Sequence, residues 1–97
     1  MTYVVKTETT KPANVQWFGQ ANPVVNLRLN LWVRAQPGIL SAIGRVTAPN
    51  TFTTITVFQD EAAYNAFQAA LASNADGIAR QAYATAQNFQ TTTEVVA

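Results

Sequence analysis

A chain of 97 residues has room for one domain, spanning 1–97, with a core small enough that pairing with another copy would help it. Apolar residues make up 48% of the chain and charged ones only 11%, with a net charge of +1, which excludes intrinsic disorder and a basic nucleic-acid footprint. Cysteine and histidine are both absent, which excludes disulfides, thiol nucleophiles, His-dependent triads and nearly all zinc sites.

No apolar run reaches the roughly 20 residues of a membrane helix, and the N-terminus lacks a signal-peptide pattern, so a soluble protein is expected. The first predicted strand is Thr2–Thr10, ended by Lys11-Pro12 because proline cannot donate to a ladder. Ala13–Gln20 carries Trp17 and Phe18 and reads as an ordered connection packing an aromatic pair.

Asn22-Pro23 is a helix start, with a capping side chain before proline at the first helical position, and Pro37-Gly38 is the matching stop. Between them Val25, Leu27, Leu29, Leu31 and Val33 alternate with more polar residues, a strand pattern. The helical template also fits, with Val24, Leu27, Leu31 and Ala35 as the apolar face and Asn26, Asn30 and Arg34 as a polar stripe. The caps and the length decide for a helix over Asn22–Gln36.

Two strands follow, Ile39–Val46 and Phe52–Gln59, joined as a hairpin by a long loop around Pro49-Asn50. Asp60 caps a helix from Glu61 to Ser73 whose apolar face is Ala63, Phe67, Ala70 and Leu71. Asn74 breaks it. A second piece runs over Ala75–Gln87, with Asp76 as its cap and Ile78, Ala82, Tyr83 and Ala86 inward, before a closing strand Gln90–Val96. The order β-α-β-β-α(α)-β is the ferredoxin-like α+β arrangement, a four-stranded antiparallel sheet with helices on one face.

Leu31-Trp32-Val33 running into Gln36-Pro37-Gly38-Ile39, and then Val57-Phe58-Gln59-Asp60-Glu61-Ala62-Ala63-Tyr64, resembles the small dimeric α+β barrel proteins. These include the antibiotic-biosynthesis-monooxygenase-like and stress-responsive barrel families. The resemblance implies a homodimer packed through its sheets. Haem-degrading members rely on a histidine that this chain lacks, so that activity does not carry over. Cofactor-free oxygenation in these families uses Trp, Asn and Arg, for which Trp17, Trp32, Asn14 and Arg80 are the residues that could serve. The Thr-rich, histidine-free composition is also similar to that of short uncharacterised phage proteins.

Residue by residue, the chemistry has ordinary explanations. Asp60 and Glu61 belong to a helix start, and Glu8, Glu94 and Lys6 to neighbouring strands where cross-strand ion pairs form. Carboxylates do not cluster as a metal site requires, and no Walker A, GxGxxG or nucleophile-elbow pattern occurs. The six large rings of Trp17, Phe18, Trp32, Tyr64, Phe67 and Tyr83 are expected to fill the cleft under the helices. No catalytic, cofactor-binding or metal-binding residue is therefore assigned, and no cofactor, nucleic acid or membrane partner.

Both faces of the third predicted strand carry apolar side chains, Ile55 and Val57 on one side against Phe52 and Phe58 on the other, and the second strand does the same, with Ile39 and Ile43 opposite Leu40 and Val46. Burial of both faces implies a partner sheet. The leading expectation is a non-catalytic, homodimeric structural or binding module, such as a phage virion accessory or adaptor. The alternative is a cofactor-free monooxygenase-like or small-molecule-binding dimeric α+β barrel.

Overall fold

Threonine-rich segments form strands and alanine-rich segments helices, as their side-chain sterics favour. The computed structural model describes residues 1–97 and orders them as β1 (Tyr3–Thr10), α1 (Phe18–Ala21), α2 (Pro23–Arg34), β2 (Ile39–Ala48), β3 (Thr51–Phe58), α3 (Glu61–Ala72), α4 (Ala75–Ala86) and β4 (Gln90–Val95). The strands make one antiparallel sheet in the order β2-β3-β1-β4, with β1 and β3 central. This is the ferredoxin-like α+β arrangement.

Registers define the two faces. Tyr3, Val5, Thr7 and Thr9 pair with Phe58, Thr56, Thr54 and Phe52. Tyr3 and Phe58 both stack on Tyr64 of α3, so this set faces the helices. Val4, Lys6, Glu8 and Thr10 lie on the outer face opposite Val57, Ile55, Thr53 and Thr51. The core is small: Val5, Phe18, Leu29 and Phe58 are the buried hydrophobic side chains.

Local signals place the ends of the helices. Asp60 accepts a hydrogen bond from the Ala63 amide at 2.8 Å, as its predicted capping role requires. Gly38 has φ +83°, and a Cβ there would lie 2.5 Å from the Ala63 Cβ, so only glycine lets β2 begin so close to α3. After α4, Asn88 takes the left-handed conformation that stops a helix. No helix is long and apolar enough to cross a membrane.

Several side-chain directions differ from the sequence reading. In α2, Val24, Leu27 and Leu31 point outward, with 72%, 61% and 59% of their surface exposed, and Ala35 is exposed too. The inward stripe is Val25, Leu29, Trp32 and Val33. A helix that is apolar on both sides gives no periodic signal for which side packs. In α4 only Tyr83 of the expected four turns inward; Ile78, Ala82 and Ala86 are exposed, while Gly77, Arg80 and Ala84 face in. Alanine is too weakly hydrophobic to orient a helix by itself.

Asp76 does not cap α4. Asn74 does, accepting from the Gly77 amide at 3.0 Å, and so starts the second helix as it ends the first. The β2–β3 loop is not long: Ala48 pairs with Thr51, leaving only Pro49 and Asn50 in the turn. Pro49 requires negative φ, which excludes the hairpin turns matching strand twist, and a register shift between Val46 and Ala48 absorbs the mismatch. A second shift between Ile39 and Ser41 puts Ile39 against Phe58 on the helix face and Ile43 against Ile55 on the outer face, so the two isoleucines are not on one side. The connection before α2 also contains a short helix, α1, where the Trp17 amide donates to Gln20 Oε1 at 2.9 Å.

Candidate functional site

Aromatic rings run through the space between helices and sheet. Tyr3, Trp32, Phe58, Tyr64 and Phe67 form one chain of contacts with centroid separations of 5.2–6.0 Å. Trp17, Phe18, Phe52, Tyr83 and Phe89 form a second, at 5.6–5.9 Å. All ten aromatic residues of the chain belong to one or the other. Tilted and edge-to-face pairs of this kind stabilise a small core beyond their area burial. Burial first, and then Glu61, raise the Tyr3 phenol above its ordinary range, so it stays protonated at neutral pH.

The four residues named for cofactor-free oxygenation are not brought together. Trp17 sits in the second chain of rings with the Lys11 ammonium 5.3 Å from its centroid, whereas Trp32 packs on Phe67 in the first. Asn14 is exposed in the loop after β1. Arg80 lies on α4 and is the one that lines an opening.

That opening is a groove of ≈ 850 Å³ between α3 and α4. The helices touch at one end, where a Cβ on the buried Gly77 would meet Leu71 Cδ1 at 2.8 Å, and leave the groove beyond it. Leu71 and Ala72 of α3 and Ile78, Ala82 and Ala86 of α4 give it apolar walls. Gln68, Gln81 and Thr85 stand at its edges, and no acidic residue lines it. Arg80 is half-buried and belongs to neither of the chain's two ion pairs, Lys6–Glu8 and Arg28–Asp76. Burial pushes its guanidinium below its ordinary value, though an arginine remains charged. Its role was open in the sequence because its environment depends on α3, distant along the chain.

The other charged contact of the helix layer is structural. Arg28 of α2 grips Asp76 of α4 with Nε–Oδ2 at 2.6 Å and Nη2–Oδ1 at 2.8 Å. This two-point hydrogen bond holds the Asp76 carboxyl below the usual carboxylate range. A depressed carboxylate stabilises the folded state above its unfolded pKa and loses that contribution as pH falls through the folded value. Acidification below about pH 4 should therefore lower the melting temperature of the parent more than that of Asp76→Asn, measured by circular dichroism across pH 2–7.

The outer sheet face is bare. Ile43 is 66% exposed and pairs with Ile55, which pairs with Lys6; Val4 and Val57 lie one row away. Val96, 49% exposed, extends this apolar region beyond β4 by donating to the Val4 carbonyl. Lys6 and Glu8 pair at 3.0 Å on the same face.

The fold recurs in solved structures. Rv0793 from Mycobacterium tuberculosis superposes with a TM-score of 0.72 at 12% identity, covering 100% of this chain and 94% of that one. SnoaB, a cofactor-independent oxygenase from Streptomyces nogalater, gives 0.68 at 12% identity, over 99% of this chain and 91% of its own. NE2512 from Nitrosomonas europaea, a protein of unknown function, gives 0.64 at 19% identity, over 99% and 90%. The fold is that of the small dimeric α+β barrel proteins. No family model matches the chain, and no curated protein matches it by sequence. At these identities the barrel likeness establishes architecture alone, and nothing among these neighbours supports a phage or virion role.

Proposed function

We propose that this protein is a homodimer, paired through its outer sheet face, that binds a small organic molecule in its helix layer. The observation that carries the binding reading is the α3–α4 groove, which lies within the roughly 300–1,000 Å³ usual for ligand sites. Apolar walls with a few polar groups are the composition such sites have. The apolar rows around Ile43 and Ile55 supply the dimer half of the proposal, since one chain leaves them in water.

Cofactor-free oxygenation is a second reading, supported by the likeness to SnoaB. In that chemistry the substrate supplies the electrons: an anthrone-like phenol and O₂ give a quinone and water, with the methylene carbon becoming the carbonyl. The protein would contribute orientation and a favourable environment for the phenolate.

Oxygen uptake and equilibrium binding, measured together with an anthrone-like phenol, separate the possibilities. Saturable binding without uptake identifies a binding protein. Uptake that disappears in Arg80→Met, the one of the four residues that lines the groove, identifies an oxygenase. Absence of both, in a protein that light scattering shows to be dimeric, leaves the structural-module expectation standing.

A further inference from the structure

The α3–α4 groove has a defined electrostatic character, and it restricts what can occupy it. Ten residues line it and Arg80 is the only charged one. Its neighbours on the inward face of α4, Gly77 and Ala84, provide no acceptor side chain, and the acidic residue of that helix, Asp76, is held by Arg28. The other acidic residues are also placed elsewhere. Asp60 and Glu61 stand at the start of α3, at the opposite end of that helix from Leu71 and Ala72, and Glu8 and Glu94 are on the sheet. A half-buried guanidinium without a carboxylate partner is an unfavourable arrangement for a folded chain, because desolvation is not offset by a charge pair.

We propose that the groove is a site for a monoanionic ligand, a carboxylate or sulfonate on an apolar body, whose anionic group rests on Arg80. The proposal rests on the small-molecule reading above and names its ligand class. The geometry divides the ligand in two. Leu71 and Ile78 flank space for the apolar body. The guanidinium offers a planar fork of donors that matches two oxygens of one anion. The Thr85 hydroxyl, which accepts from Gln81 Nε2 at 3.3 Å, retains its own proton for a further donated bond at the rim. A dianion or a cation has no second partner here, since the groove contains neither another cation nor an acid.

Two fluorescent probes of similar shape test this: anilinonaphthalene sulfonate, a monoanion, and N-phenyl-1-naphthylamine, its uncharged counterpart. The parent should bind the anion with one site per chain and at least about tenfold more tightly than the neutral probe, the discrimination expected from one charge-assisted hydrogen-bonded pair. Arg80→Met should reduce that preference to within about twofold, chiefly by weakening the anionic probe. Arg80→Lys should retain an intermediate preference, because it keeps the charge and loses the fork. Leu71→Trp, which fills the groove from the other wall, should weaken both probes together. Equal binding of the two probes by the parent would overturn the anion assignment and leave the small-molecule reading intact. Binding of neither would remove both. Anion preference persisting in a folded Arg80→Met protein would place the anion elsewhere and overturn the assignment to this groove.

Discussion

Ile55→Asp should convert the protein from dimer to monomer, weakening self-association by at least about 100-fold, or roughly 3 kcal/mol. Ile55 lies on β3 between Ile43 and Lys6 on the outer face and is 36% exposed in the single chain. In a sheet-to-sheet pair it would be dry, and its cross-strand neighbour Lys6 is already held by Glu8 at 3.0 Å, so the new carboxylate is costly to bury. The substitution affects each chain once and a two-fold interface twice, because isologous contacts repeat every residue. Sedimentation equilibrium across a concentration series measures the shift. Circular dichroism should change little, because the helix-side core is on the opposite face. Undiminished association would show that the copies pair through another surface.

Phe58→Ala should be the most destabilising single truncation, about 3–5 kcal/mol, because a ring removed from a packed core leaves a cavity. Phe58 is 2% exposed, and its ring centroid lies 5.2 Å from that of Tyr64 and 5.6 Å from that of Phe67. It is also the residue at which β1, β2 and β3 meet, paired with Tyr3 on one side and Ile39 on the other. Domains of this size hold about 5–15 kcal/mol in total, so a large part of the stability depends on one side chain. Urea unfolding should show the midpoint fall, and Phe58→Leu should recover most of it. A loss below about 1 kcal/mol would mean that the core is centred elsewhere.

Element types were legible because the signals for them are local. Thr runs, the Asn22-Pro23 start, the Pro37-Gly38 stop and the Asp60 cap each act within a turn of the chain, and the helix α2 emerged from an alternating pattern on those signals alone. Which way a helix faces depends on what lies across from it. Leu29 and Leu31 are chemically identical, yet the first is completely buried and the second 59% exposed. Ile39 and Ile43 fall on opposite faces for a reason of the same kind, since a register shift of one residue reverses every later side chain and leaves no mark in composition.

The candidate site was less legible still. Arg80 could be named as one of few residues capable of chemistry, but the groove around it is formed by two helices, with Gly77 letting α4 pack closely on Leu71 of α3. Trp17 and Trp32 were named together on residue type, and the fold assigns them to different sets of rings. Long-range packing, absent from any window of the sequence, decides both.

That separation of the two tryptophans gives the molecule two optical reporters. Trp17 packs against Phe52 and edge-to-face with Phe89 under Lys11, at the end of the sheet where β2 turns into β3, whereas Trp32 sits against Phe67 of α3. Each indole emits according to its own surroundings, and the neighbouring ammonium distinguishes the first from the second. Trp17→Phe leaves a spectrum that follows the surroundings of Trp32 alone, and Trp32→Phe one that follows those of Trp17. Comparing their transitions during unfolding would reveal whether the two groups of rings come apart as one unit or in sequence.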